Sequence, residues 1–299
     1  MLYTIIQYLI RAVLFLFYKK LFVNNKDLLN QNGPLLITTN HPNAFIDAII
    51  IGVLFKKPIH FITRGDVFKK AWIAKVLATL NMIPIYRIRD GKENLHLNEY
   101  AFEKSKMVLA NGGIVMIFIE GICKHTHDLQ PLKKGAARIA FSCWNVGIDL
   151  KVLPASIRYS SLWKTPMNIQ VNIGTLLGKT DLTNSTEEAK NYIHFNKIIF
   201  SALNNLLQQQ NVNFNTTSST LSFLKYIAFP FLFFLEKGIA NKTKNNVFYH
   251  SFLFAAFFVL YPIYLITVLF AAYLIGFTFL SSISIVAAIV LLHIISIKQ

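Results

Sequence analysis

From Ser251 to Ser296 the chain carries no Asp, Glu, Lys or Arg. An α-helix rises about 1.5 Å per residue, so this run is roughly twice as long as needed to cross the ~30 Å hydrocarbon core of a bilayer. One soluble core helix of that length would have no charged face to turn to water. The run therefore reads as two helices joined near Gly276–Ser282, a transmembrane hairpin within residues 250–299. The flanking segments, residues 237–244 and Lys298, are basic. The positive-inside rule places both flanks, and the domain before them, on the cytoplasmic face of a membrane, expected to be a bacterial inner membrane.

Composition agrees with a membrane setting. The chain has 299 residues, is 54% hydrophobic and carries a formal charge of +16. Such a basic excess favours anionic partners: nucleic acid, an anionic membrane surface, or phosphorylated substrates. The apolar excess is concentrated at the two ends, which favours membrane lipids. No nucleic-acid-binding module is present, so nucleic acid is not an expected partner. Two cysteines, Cys123 and Cys143, do not make a disulfide framework.

Residues 1–23 are apolar but broken by Arg11, Lys19 and Lys20. They lack the basic n-region and small-residue cleavage site of a signal peptide. Thr4, Gln7, Arg11 and Tyr18 recur at helical spacing, which predicts an amphipathic helix in the membrane interface. A single tilted span is the alternative. Residues 211–220 are rich in Asn, Thr and Ser and read as a linker. Residues 221–249 read as an apolar membrane-associated segment and a basic loop.

Between these lies residues 24–210, where apolar runs alternate with helical patterns and argue for an α/β domain. The predicted strands are Leu35–Thr38, Ile59–Thr63, Ile83–Tyr86, Ile114–Phe118, Val152–Ile157 and Ile169–Ile173. The predicted helices are Ala44–Phe55, Val67–Asn81, Glu93–Asn111, Gly135–Val146 and Ser185–Gln209. Ser185 with Glu188 offers a capping box, and Asn111-Gly112-Gly113 a helix stop.

Chemistry-bearing residues follow the strands. His41 follows the first, Arg64 the second, Arg87 the third, Glu120 and Gly121 the fourth, and Arg158 the fifth. Open α/β sheets bind ligands beyond the carboxyl ends of their strands. One rim would then gather a base, a carboxylate and several cations. His41 falls in the strand-to-helix loop and Asp47 in the first helical turn, with Asn43 predicted as the N-cap. On one helix, residues six apart point roughly 120° apart, so the pair meets only if Pro42 and Asn43 turn the chain. A carboxylate on one imidazole nitrogen leaves the other as a base. The pair reads equally as a loop histidine and a dipole-favoured aspartate.

Asn40-His41…Asp47, Ile83-Pro84-Ile85-Tyr86-Arg87, Phe118-Ile119-Glu120-Gly121 and Val152-Leu153-Pro154 stand in the order of four motifs. In this the chain resembles the phospholipid/glycerol acyltransferases, the PlsC-like lysophosphatidate and glycerol-3-phosphate acyltransferase family, over roughly residues 25–180. The resemblance implies an α/β fold with a mixed sheet flanked by helices. It implies acyl transfer from acyl-CoA or an acyl carrier protein thioester, as co-substrate rather than cofactor, to a glycerophosphate-type hydroxyl. His41 would be the general base, oriented by Asp47. Arg87 would hold the acceptor's phosphate, Glu120 and Gly121 would shape the acceptor site, and Pro154 would lie near the acyl chain.

The chain also departs from that family's usual pattern. Five residues separate His41 from Asp47 where four are commoner, and Ile119 and Ile122-Cys123-Lys124 replace the usual third-motif residues. Lys124 is the candidate replacement cation, with Lys133, Lys134 and Arg138 as further phosphate contacts or a solvated helix start. Another lyso- or aminolipid acceptor, and a non-catalytic membrane adaptor, remain as alternatives. His125-Thr126-His127-Asp128 lacks the further spaced ligands of a metal site, so no metal is expected. Cys123 reads as structural rather than as a nucleophile.

Overall fold

The computed structural model describes residues 2–86, 96–209, 223–243 and 246–298. Its centre is a seven-stranded sheet. The strands are β1 Lys20–Val23, β2 Leu35–Thr39, β3 Ile59–Arg64, β4 Met82–Ile85, β5 Ile114–Phe118, β6 Lys151–Tyr159 and β7 Asn168–Ile173. They lie in the order β1-β7-β6-β2-β5-β3-β4. β2 to β6 all run parallel, β7 is antiparallel to β6, and β1 is parallel to β7. The helices are α1 Leu2–Phe17, α2 Phe45–Leu54, α3 Ala71–Thr79, α4 Asn98–Ala110, α5 Gly135–Trp144, α6 Lys179–Leu182, α7 Glu188–Gln208, α8 Leu224–Ala228, α9 Phe231–Thr243, α10 Tyr249–Leu274 and α11 Phe279–Lys298.

Every residue of β2 is buried. A parallel strand covered on both faces is expected to read as a continuous apolar run. Leu35 and Ile37 join one core with Leu14 of α1, Ile46 and Ile50 of α2, and Leu253, Phe254 and Phe257 of α10. Leu36 faces the opposite core, with Ile139 of α5 and Phe195 and Ile199 of α7. The mixed sheet matches the expected fold class. α4 ends as its sequence predicts: the Gly112 N–H bonds the Leu109 carbonyl and the Gly113 N–H bonds the Val108 carbonyl, with Gly112 at a φ of 69°.

Several local expectations are corrected. The helix expected over residues 1–23 is shorter: α1 stops at Phe17, and Lys20–Val23 form an edge strand. The side chains of Asn24 and Asn25 fix that strand's end by bonding the backbone N–H and carbonyl of Ile173 at 2.6 and 2.7 Å. Val67–Asn81 splits into a 3₁₀ turn over Gly65–Phe68 and α3. Ser185 does not cap α7; Asn191 closes that turn from inside the helix, bonding the Asn184 and Ser185 backbone. The stretch expected as a basic loop is instead helical as far as Thr243, in α9, which with α8 also carries the apolar residues before it. Lys225, which interrupts the apolar run, is buried and paired to Glu236 at 2.8 Å. The predicted linker, 211–220, lies outside the described residues.

The polar stripe of α1 faces inward. Gln7 Nε2 donates to the Gly52 and Phe55 carbonyls at 2.9 and 2.8 Å, and Arg11 Nε donates to the Val53 carbonyl at 2.7 Å. The last carbonyls of a helix have no partner within it. Here the side chains of α1 satisfy those of α2. The outward face of α1 carries Ile5, Tyr8, Leu9 and Phe15. This reverses the polarity of a water-facing amphipathic helix.

α10 and α11 are long and apolar enough to cross a membrane. They meet at residues 275–278, where Gly276 takes a φ of 98°. Leu253, Phe254, Phe257 and Tyr261 are buried in the domain core, whereas Ile266, Phe270, Leu274 and Leu280 are exposed. The hairpin is thus rooted in the core and projects from it. Replacing Gln7 with Leu keeps bulk but strips two buried carbonyls of their donor. Gln7→Leu is expected to lower unfolding free energy by about 1–3 kcal/mol. An unchanged midpoint in thermal unfolding of the detergent-solubilised protein would contradict that role.

Candidate active site

β2 delivers Asn40 and His41 to the rim where β2 and β5 finish together, beside β6, which runs on to Tyr159. Asn40 carries the β2–β6 pairing one step further: its side chain accepts from the Ile157 N–H at 2.9 Å and donates to the Ile157 carbonyl at 3.0 Å. His41 is then fixed on every side. Its backbone N–H donates to Glu120 Oε2 at 2.9 Å, and its carbonyl accepts from the Lys124 N–H at 3.2 Å. Its ring stacks on Phe118 with centroids 3.6 Å apart and planes 14° apart.

The turn after His41 brings its ring to Asp47, with Nδ1 and Oδ2 2.8 Å apart. Pro42 and Asn43 make the turn, as the spacing requires, but Asn43 is not the N-cap. That position falls to Ala44, which holds a φ of 49° and a ψ of −143°. Such a conformation costs an alanine on the order of 1–3 kcal/mol and persists only where the surroundings impose it. Here the Ala44 N–H donates to Cys123 Sγ at 3.0 Å, and its carbonyl accepts from the Asp47 N–H at 3.2 Å.

Asp47 has no accessible surface. Its Oδ2 accepts from the Asn43 N–H at 2.7 Å as well as facing His41, and its Oδ1 accepts from the Tyr159 hydroxyl at 2.5 Å. Burial first, and then the Asp47 charge, push the Tyr159 phenol well above its ordinary range. Tyr159 is therefore a fixed proton donor. The His41 side chain keeps 17% of its surface accessible, and its Nε2 makes no hydrogen bond among the described residues. An imidazole with one nitrogen held by a buried acid and the other open can take a proton from a bound hydroxyl.

Glu120 braces this loop from the neighbouring strand. Its carboxylate accepts the backbone N–H groups of His41 and Gln130 at 2.9 and 2.8 Å. Burial raises its pKa, and those two N–H bonds oppose the rise. Gly121 turns the chain with a φ of 66°, and a Cβ there would come within 2.9 Å of the Lys133 side chain. Both the conformation and the space ask for glycine.

The other expected site residues are placed differently. Lys124 contributes its backbone to the His41 loop, while its ammonium reaches Gln130 Oε1 at 3.2 Å. Arg138 lies over the Phe102 ring at 4.4 Å, on the α4 side of α5, rather than among the rim residues. Pro154 is buried in β6. It sits one residue out of step with Leu153, Ala155, Ile157 and Tyr159, so its side chain belongs to the sheet face covered by α7, opposite Asp47. Arg64 pairs with Asp66, and Arg158 donates to the Leu207 carbonyl at 3.1 Å. Arg87 lies outside the described residues.

Cys123 is not poised as a nucleophile. Burial, and then the Asp47 charge, push its thiol up to about 12. His127 Nε2 accepts from the Tyr159 N–H at 3.3 Å, and the His125 ring lies edge-on to Trp163 at 3.8 Å. Among the described residues no group of three or more His, Cys, Asp or Glu is arranged to hold a metal ion.

Sequence reading missed Tyr159, His250 and Ser251. Tyr159 shares the alternating face of Leu153, Ala155 and Ile157 just beyond the predicted strand end, so extending that strand would have found it. His250 and Ser251 come from the first turn of α10. The Asn43 amide nitrogen lies 3.1 Å from His250 Nδ1, and Ser251 Oγ lies 3.3 Å from both the Asn43 carbonyl and the Ile46 N–H.

A family model described as Acyltransferase matches residues 20–158, from the first residue of β1 almost to the last of β6. One similar solved structure is the crystal structure of PlsC, the 1-acyl-sn-glycerophosphate (LPA) acyltransferase from Thermotoga maritima. It is 16% identical, covers 64% of this chain and 73% of its own, and superposes with a TM-score of 0.45. No curated protein matches the chain.

Tyr159→Phe is expected to cost about 1.5–3 kcal/mol of stability, the worth of a hydrogen bond to a charged group. Combined with Asp47→Asn the two effects should be non-additive by more than about 0.5 kcal/mol. Additive unfolding free energies would show that the hydroxyl and the carboxylate do not act on each other.

Proposed function

We propose that this chain, whose residues 20–158 match a family model described as Acyltransferase, is a membrane-bound glycerolipid acyltransferase. It would transfer a fatty acyl group from acyl-CoA or an acyl carrier protein to the hydroxyl of glycerol-3-phosphate or 1-acylglycerol-3-phosphate. The observation that carries the reading is the His41–Asp47 pair, 2.8 Å apart at the rim of the sheet, with Nε2 open.

The chemistry needs little else from the chain. An alcohol is a weak nucleophile at neutral pH and needs a positioned base. His41 Nε2 takes the hydroxyl proton as the alkoxide oxygen attacks the thioester carbonyl. The carbon–sulfur bond then breaks, and the imidazolium returns the proton to the departing thiolate. Buried Asp47 stabilises the imidazolium, and Tyr159 and the Asn43 N–H hold Asp47 in place. The protonated thiol of Cys123, engaged by the Ala44 N–H, argues against an acyl-enzyme on that residue. Direct transfer is the reading it favours.

Membrane residence is supported by α10 and α11, and the basic flanks favour the cytoplasmic face. Arg87 remains the proposed phosphate ligand, since a guanidinium can grip a phosphomonoester bidentately.

Membranes carrying the protein should acylate glycerol-3-phosphate or lysophosphatidate, and His41→Ala should reduce turnover by ~10²–10⁴-fold or more. Full transfer by purified His41→Ala would end the mechanism. Arg87→Ala should raise the acceptor KM by about 10- to 100-fold, the worth of a charge-assisted hydrogen bond of 1.5–3 kcal/mol. An unchanged KM would redirect the assignment to an acceptor without a phosphomonoester, such as a lyso-aminolipid.

A further inference from the structure

The N-terminus of α2 is capped from outside its own sequence neighbourhood. Its N-cap, Ala44, has no side chain able to accept a hydrogen bond. The second N–H of the helix, that of Ile46, would otherwise be an orphan donor. Ser251 Oγ takes it at 3.3 Å and donates its own proton to the Asn43 carbonyl at 3.3 Å. A hydroxyl from the first turn of α10 thus does what an N-cap serine normally does for its own helix.

The next residue back completes the clasp. The Asn43 side-chain nitrogen lies 3.1 Å from His250 Nδ1. An amide nitrogen only donates, so that ring nitrogen accepts. The backbone N–H of the same Asn43 donates to Asp47 Oδ2, the oxygen that faces His41. His250, Ser251, Asn43 and Asp47 are all fully buried. A continuous run of hydrogen bonds therefore leads from the root of the membrane hairpin to the imidazole. His250 and Ser251 hold the strained turn from this side, and Cys123 meets Ala44 on the other.

We propose that His250 and Ser251 are positioning residues. The membrane hairpin fixes the catalytic loop by holding Asn43, and so sets the angle at which Asp47 presents its carboxylate to His41. The proposal rests on the acyltransferase reading of that pair. It makes the hairpin part of the active site rather than an anchor alone. Geometry at a reacting centre is costly to lose, since a misplacement of about 1 Å can reduce rate ~10²-fold.

The test compares His250→Phe, which keeps bulk but has no acceptor, with His250→Asn, which offers a side-chain oxygen near the place of Nδ1. Full-length protein in membranes is assayed with glycerol-3-phosphate and lysophosphatidate against acyl-CoA and acyl carrier protein donors. His250→Phe should lower kcat by about 10- to 100-fold with both KM values unchanged, and His250→Asn should recover most of it. Wild-type kcat in folded His250→Phe overturns the proposal, as does an equal loss in both variants. Should His250→Phe not fold, Ser251→Ala against Ser251→Thr decides: a loss confined to Ala supports the clasp, and no loss or an equal loss overturns it. Wild-type and His41→Ala controls separate the layers. If wild type is active and His41→Ala is not, an unaltered His250→Phe refutes the clasp alone; if His41→Ala matches wild type, the base assignment fails first.

Discussion

A carboxylate with no access to water must have its charge answered by the protein, and Asp47 is such a group. Its two oxygens collect His41 Nδ1, the Asn43 N–H and the Tyr159 hydroxyl. Those three partners come from the loop after β2 and from the end of β6. They meet because β2 and β6 are parallel neighbours and β6 runs on past the end of β2 to Tyr159. The sheet order therefore has a local purpose: it places a donor hydroxyl and an imidazole at opposite ends of one acid. β5, on the other side of β2, supplies Phe118 and the turn after it supplies Glu120, which hold the His41 ring and backbone. Three adjacent strands thus fix one side chain, and backbone pairing does the aligning.

The same concern with unsatisfied polar groups explains how the apolar helices are joined to the domain. Helix ends leave carbonyls and N–H groups without partners. Gln7 and Arg11 serve the end of α2, and Ser251 serves its start. Lys298 of α11 donates to the Tyr18 carbonyl at 2.7 Å, and His293 reaches the Leu16 carbonyl at 3.1 Å, so the end of α1 is served by the returning arm of the hairpin. Each helix of this cluster completes another. Phe17, Phe229, Phe254 and Phe257 then fill the space between them with edge-on and tilted ring contacts. Polar caps fix direction, and aromatic packing supplies bulk burial.

Much of this was legible in the sequence, because strands and membrane helices are local patterns. The apolar runs gave the sheet, and the charge-free stretch gave the hairpin. The spacing of His41 and Asp47 implied a turn between them, and one is present. What was not legible depends on partners far along the chain. The stripe of Gln7 and Arg11 has the period of a water-facing helix, and nothing local says that its partners are carbonyls some forty positions later. Asn43 looks like an N-cap by type, yet its amide is drawn to His250 and its N–H to Asp47. Arg138 and Pro154 sat near the right motifs, but a motif does not give the face on which a side chain emerges. For Pro154 the period of two in β6 settles it, and for Arg138 the ring of Phe102 does.

The position of the rim relative to lipid follows from the same contacts. Asn43 touches His250, the second residue of α10. Phe252, two residues on, is already half exposed, and by Val259 and Ile263 the outward face of that helix is apolar and uncovered. At 3.6 residues per turn, the His41 loop stands within roughly three helical turns of an exposed apolar surface. That distance is set by covalent helix geometry and a buried clasp, not by a linker. Under the proposed acyl transfer, that closeness favours an acceptor that keeps its chain in lipid and presents only a polar head to His41.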